Sequence, residues 1–145
     1  MKRHPALVTL SHDHHHALFV AHQLRKADEQ TADAAASALS ALWDNEMRDH
    51  LRVEDEVLLP AVVEAGIVAE HEMLARVAAD HLLIRRDIRA LDGAPSLEQL
   101  HEIGARLSEH VRFEERQLFP LLEAELSEQQ LTALGEEITS AEAQA

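Results

Sequence analysis

The chain has 145 residues, 46% of them hydrophobic, which is enough for one domain with a real core. Its formal charge of −14 repels phosphate backbones and anionic lipid, so no nucleic acid and no membrane surface is expected as a partner, and a cation is the natural counterpart. Cysteine is absent, which removes disulfides, iron–sulfur clusters and thiolate zinc sites and leaves imidazole and carboxylate as the only strong metal donors.

Only 3% of the residues are aromatic and only four are glycine, a balance that predicts an all-α fold. Ser11 is the expected N-cap of a first helix running to about Asp28, with Leu10, Ala17, Leu18, Ala21 and Leu24 as its apolar stripe. Thr31 opens a long second helix through Ala34, Leu39, Leu42, Trp43, Met47, Leu51, Leu58 and Val62, with Pro60 near its end and Gly66 as its C-cap. The third helix spans Ile67 to Leu91 and is closed by the turn Asp92-Gly93-Ala94-Pro95. The fourth starts at the Ser96 cap and carries Leu100, Ile103, Leu107, Val111, Leu118 and Leu122. Ser127 with Gln130 forms a capping box for a short fifth helix over about 127–142, and the tail beyond Thr139 is expected to fray. Short connections between long amphipathic helices predict a single domain, 1–145, built as an up-down-up-down antiparallel four-helix bundle over about 6–126. No apolar run is long enough to span a membrane, and the one after Met1-Lys2-Arg3-His4-Pro5 is too short for a signal peptide, so a cytoplasmic location is expected.

The segment from His50 to Pro60 aligns without a gap on the segment from His110 to Pro120, at a constant offset of 60. His, Arg, Glu, Leu and Pro recur at equivalent places, the mark of a duplicated helix pair. A weaker echo joins Asp13-His14-His15-His16-Ala17-Leu18 to Asp80-His81-Leu82-Leu83-Ile84. In each strong copy His and Glu are four apart, on one helix face, and Glu54 and Glu114 stand in line with core-facing leucines. A lone His-x-x-x-Glu is ordinarily a surface pair, but two matched copies put two carboxylates into an apolar interior, where a metal ion is one of few means of neutralising them. Around the motif, Arg52 and Arg112 read as solvated or ion-paired, Asp55, Glu56 and Glu115 as exposed, and Phe113 and Phe119 as core packing. Residues 14–16 cannot all face inward, since neighbours on a helix diverge by about 100°. His4, His12, His22, His71 and His101 read as surface or helix-end residues. Competing motifs fail on spacing: Glu98-Gln99-Leu100-His101 has no twin for a ferritin-like site, and there is no His-Glu-x-x-His, phosphate loop or nucleophile motif.

These residues resemble the hemerythrin-like, or HHE cation-binding, domain family from Leu10 to about Leu122. The resemblance implies six metal ligands. Helix two supplies His50 and Glu54, helix four His110 and Glu114, and helix three His81, which follows an acidic residue and precedes Ile84 by three. The same rule on the first helix selects His15 through Leu18, with His14 after Asp13 as the alternative. The oxygen-carrying members have a second third-helix His where this chain has Val77 or Arg85, and an Asp where Glu115 stands. The resemblance therefore implies two non-haem iron ions, oxo- or hydroxo-bridged, with open positions for dioxygen, nitric oxide or peroxide, in a monomer or weak homodimer. Peroxide removal by a catalase-like di-iron enzyme, and iron storage or buffering, are the alternatives it leaves standing.

Overall fold

The computed structural model describes residues 2–67, 71–91 and 93–144, and among them there are helices and turns but no strand. A 3-10 turn, Pro5–Leu7, leads into α1, Val8–Lys26. Helix α2 occupies residues 32–64, its α-helical parts Ala32–Leu42, Arg48–Val53 and Leu59–Glu64 being joined by π-helical turns at Trp43–Met47 and Glu54–Leu58. Helix α3 is His71–Arg89, and α4 occupies residues 97–125 with one π-helical turn, Glu114–Leu118. Helix α5 is Glu128–Glu142.

The first helix begins earlier than Ser11. His4 Nδ1 accepts from the Ala6 amide at 3.0 Å and Pro5, whose φ is already helical, takes the first position, while Ser11 lies one turn inside and donates to Glu115. Gly66 ends α2 in the left-handed conformation, φ +74°. Residues 68–70 of the expected third helix and Asp92 of its closing turn lie outside the described residues. The expected capping box at Ser127 is present, and the Ser96 cap is a second one: Ser96 accepts from Gln99 N and Ser127 from Gln130 N, each at 3.1 Å. The last helix has the expected span but does not fray after Thr139, because Leu131, Leu134, Ile138 and Ala141 are all buried.

Helix pairs meet with their numbering in opposite senses. Along α1 and α4, Arg3 reaches Glu123, Ser11 reaches Glu115, and His101 reaches the Ala27 carbonyl. Asp13 meets His50 and His16 meets Glu46 between α1 and α2, while Asp80 meets His110 and Asp87 meets Arg106 between α3 and α4. At Gly104 the α1 and α4 backbones come so close that a Cβ would stand 2.9 Å from the Ala21 carbonyl oxygen.

The core is split into two apolar clusters, and each long helix passes from one to the other at a histidine. On α1, Leu10 belongs to the first cluster and Ala17 to the second, with His14 between; on α3, Val77 and Ile84 flank His81 in the same way. On α2, Leu51 and Val53 fall in different clusters just after His50, and on α4 His110 lies between Leu107 and Phe113. The middle of the molecule is thus a polar layer between two apolar ones.

Candidate metal centre

Six side chains make that layer: His14, His50, Glu54, His81, His110 and Glu114, none more than 3% exposed. Their donor atoms form two groups, His14, His50, Glu54 and Glu114 on one side and Glu54, His81, His110 and Glu114 on the other, so both glutamates are shared. Each carboxylate turns one oxygen to each group. Glu54 Oε2 is 3.3 Å from His50 Nε2 and 4.0 Å from His14 Nε2, and its Oε1 is 3.1 Å from His81 Nε2. Glu114 Oε1 is 2.9 Å from His14 Nε2, and its Oε2 is 3.3 Å from His110 Nε2 and 3.6 Å from His81 Nε2.

Short as these separations are, none has hydrogen-bond geometry: all four Nε2 atoms and all four glutamate oxygens are buried without a hydrogen-bond partner. Eight orphaned polar atoms would be a severe cost in an ordinary core. They are aimed at common points rather than at one another. Two donors at right angles on an ion, each about 2.1 Å from it, stand about 3 Å apart, which is the spacing these atoms keep. The donor set fits a pair of ions, with Glu54 and Glu114 as the shared ligands.

The outer nitrogens are held as firmly. Each Nδ1 donates to a carboxylate: His14 to Glu115 at 2.7 Å, His50 to Asp13 at 3.0 Å, His81 to Asp55 at 2.6 Å and His110 to Asp80 at 3.0 Å. A carboxylate only accepts, so the proton sits on Nδ1 and the Nε2 lone pair faces inward, the form that ligates metal. The carboxylates are themselves anchored, Asp55 by Arg85 at 2.7 Å and Glu115 by Ser11 at 2.7 Å and Arg3 at 3.3 Å. Phe119 stacks on the His14 ring, centroids 5.4 Å apart.

In the chain without a cation these contacts charge the imidazoles. Burial disfavours the charged form of His50, but the Glu54 charge and the Asp13 hydrogen bond outweigh it and raise the ring to about 10. His81 is raised to about 11 against the same burial, through Asp55, Glu114 and Glu54, and His110 to about 9 through Glu114 and Asp80. His14 is raised too, burial being overcome by Glu114 and Glu115. Burial opposes ionisation of Glu114, yet the His110 charge brings its pKa well below the usual carboxylate value.

Five of the six sequence-derived candidates converge here, and on the first helix the stated alternative, His14, joins them instead of His15. His15 is exposed and takes no part, and His14 stands in its place. Leu18 was a misleading guide because it is only half-buried, whereas Leu10, Ala17, Ala21 and Leu24 are fully covered and alternate by sevens, threes and fours through position 14. The acidic neighbours were also misread. Asp55 and Glu115 are not simply exposed, and Asp13 and Asp80 were overlooked, although an acid directly before His14 and His81 and directly after Glu54 and Glu114 is itself a repeated pattern. Arg52 pairs with Asp49 and Glu56, Phe113 and Phe119 are buried, and Val77, on the His81 face, offers no donor.

A polar cleft of about 270 Å³ between α3 and α4, lined by Arg76, Asp80, Glu102, Arg106, Glu109 and His110, reaches the outer edge of this layer. No helix among the described residues is long and apolar enough to cross a membrane. Searches among curated proteins and among solved structures return no match. The family model described as the hemerythrin HHE cation binding domain matches residues 6–122, a stretch that contains all six donors and all four carboxylates behind them. The chain belongs to the hemerythrin HHE cation-binding domain family.

Proposed function

We propose that this protein is a hemerythrin-like non-haem di-iron protein that binds or senses dioxygen, nitric oxide or peroxide. The observation that carries the reading is the sharing of Glu54 and Glu114 between two histidine pairs, which suits two like ions side by side. Nitrogen and oxygen donors without sulfur suit iron, which when bound would supply open coordination positions and a redox couple for a small ligand. His14 and His50 would hold one ion and His81 and His110 the other. Leu10 and Val77, each one turn before a histidine, put aliphatic surface where a further ligand could have stood and keep water from the layer. The cleft beside Asp80 and His110 offers an approach from the surface.

Binding is favoured over turnover by what surrounds the donors. Among the described residues Ser108 is the only other fully buried polar side chain, and it accepts from Arg112 Nη1 at 2.6 Å, so the fully buried acids and bases are the donors themselves. The opposed pairings of α1 with α2 and α4, and of α3 with α4, support an up-down-up-down antiparallel four-helix bundle as one domain, and a cytoplasmic monomer or weak homodimer suits the acidic surface.

Metal analysis and optical spectroscopy of aerobically prepared, iron-supplied protein test the reading. About two irons per chain with near-ultraviolet charge-transfer absorption are expected, and the reduced protein should change its spectrum on adding dioxygen or nitric oxide. One metal per chain, or a zinc-filled and spectroscopically silent centre, would sink it.

A further inference from the structure

The first helix carries histidines that the interior centre does not use. His12 and His16 lie two positions before and after His14, about 200° around the helix from it, and so face outward. Their rings nevertheless meet, with centroids 5.0 Å apart. The two interior pairs have the same spacing, 4.8 Å for His14 with His50 and 4.9 Å for His81 with His110. His16 also shares their second feature. Its Nδ1 donates to Glu46 of α2 at 2.6 Å, which fixes the proton there and leaves Nε2, on a ring half exposed to solvent, as a lone-pair donor.

From this parallel we infer that His12 and His16 form a second, exterior metal site that chelates a divalent ion of the copper, nickel or zinc type through two imidazoles. The spacing of four brings both rings over one turn of the helix, so the second bond to an ion is intramolecular once the first is made. Two imidazole donors favour the ions late in the first-row order over iron or manganese, with water filling the remaining positions. Glu46 is a positioning residue here, as Asp13, Asp55, Asp80 and Glu115 are inside. The inference does not depend on which ion the interior holds.

Tag-free protein whose interior has been saturated with iron is titrated with Zn²⁺ in a calorimeter at neutral pH, and iron content and near-ultraviolet absorption are measured alongside. About one further Zn²⁺ per chain is expected, with Cu²⁺ binding more tightly. His12→Gln and His16→Gln should each abolish that binding, His15→Gln should keep it, and Glu46→Gln should weaken it about tenfold. Iron content should stay constant throughout, so a fault in the interior reading shows separately as lost or absent iron. Zn²⁺ binding undiminished in the His12→Gln, His16→Gln double variant, or lost equally in His15→Gln, would overturn the site.

Discussion

The α1–α2 half and the α3–α4 half of the molecule build the same donor set by the same means, yet only one of them does so with a single candidate histidine on its first helix. In each half an acid precedes the first histidine and grips the second, Asp13 on His50 and Asp80 on His110. Between halves the acid after each glutamate returns the favour, Asp55 on His81 and Glu115 on His14. The layer is therefore a closed ring of four helices, and neither half can complete its histidines alone. The halves differ in their surroundings. Three consecutive histidines and an aromatic stack on His14 mark the α1 side, while His81 on α3 has no histidine next to it. What the comparison teaches is that the symmetry lies in donors and braces, not in the apolar residues around them.

The largest expected effect breaks the symmetry at α1. His14→Ala should lose at least one of the two proposed ions, because Nε2 belongs to one donor group and its truncation leaves the Glu114 oxygen opposite without a shared partner. His15→Ala, on the exposed face, should keep full metal content and change stability by no more than about 0.5 kcal/mol. Metal analysis of both variants beside the parent checks this. Retained iron in His14→Ala with loss in His15→Ala would mean that the register of α1 is wrong by one residue.

How much of this was legible follows from the same comparison. On α2 and α4 the gapless repeat fixed His50, Glu54, His110 and Glu114 before any geometry was known, because four matched ligand types cannot drift along a helix without spoiling the apolar match. On α1 the repeat is weak and a leucine three residues on was made to choose the histidine. Leu18 is large but half-buried and Ala17 is small but fully covered, so residue size misled where the full stripe through Leu10, Ala17, Ala21 and Leu24 would have decided correctly. The π-helical turns that begin at Glu54 and Glu114 had no sequence signature beyond the repeat itself, and such turns are frequent at functional sites. The braces were invisible for another reason. Each joins two different helices, and a single acidic residue carries no mark of the helix that it will meet.

A pH series separates the empty layer from the filled one. His50, His81 and His110 are raised to about 10, 11 and 9, above their unfolded value of about 6.5. Each therefore binds its proton more tightly in the folded chain, and this stability is fully present below about pH 6.5 and lost as pH rises through 9 to 11. Denaturant melts of metal-free protein should accordingly weaken from neutral to alkaline pH. The iron-loaded protein should do the reverse in acid, where protons compete for the same Nε2 atoms and metal is released. A metal-free protein whose midpoint rises between pH 7 and 10 would contradict the ion pairing assigned to the layer.

Helix α4 also closes differently on the two halves, tightly on α1 and loosely on α3, and Gly104 tests that. Toward α1, a Cβ at Gly104 would stand 2.8 Å from Leu24 Cβ and 2.9 Å from the Ala21 carbonyl oxygen, so two helices must part to admit it. Toward α3, α4 is joined through long side chains, Arg106 to Asp87 and Arg76 over the Phe113 ring. Gly104→Ala should cost about 1–3 kcal/mol through overpacking, after offsetting the helix-propensity gain of up to about 1 kcal/mol. Thermal melts check the loss, and metal stoichiometry should be unchanged. A stabilised variant would show that the α1–α4 contact gives way freely.

The smallest effect sharpens the comparison at the braces. Asp55 lies 2.6 Å from His81 Nδ1 and is itself fixed by Arg85 at 2.7 Å, whereas Asp13 lies 3.0 Å from His50 Nδ1. An asparagine at either place can still accept the Nδ1 proton through its carbonyl, so the tautomer survives, but the negative charge that makes the imidazole a better donor is gone. At position 55 the change also leaves Arg85 facing a neutral amide, which favours rotation of the side chain away from His81. Asp55→Asn should therefore weaken metal binding by about tenfold to a hundredfold, and Asp13→Asn by about tenfold or less. Competition against a chelator of known strength, run on both variants, reads the difference directly. Equal losses would mean that the arginine behind Asp55 adds nothing to the hold on His81, and that the two halves are braced alike despite their different distances.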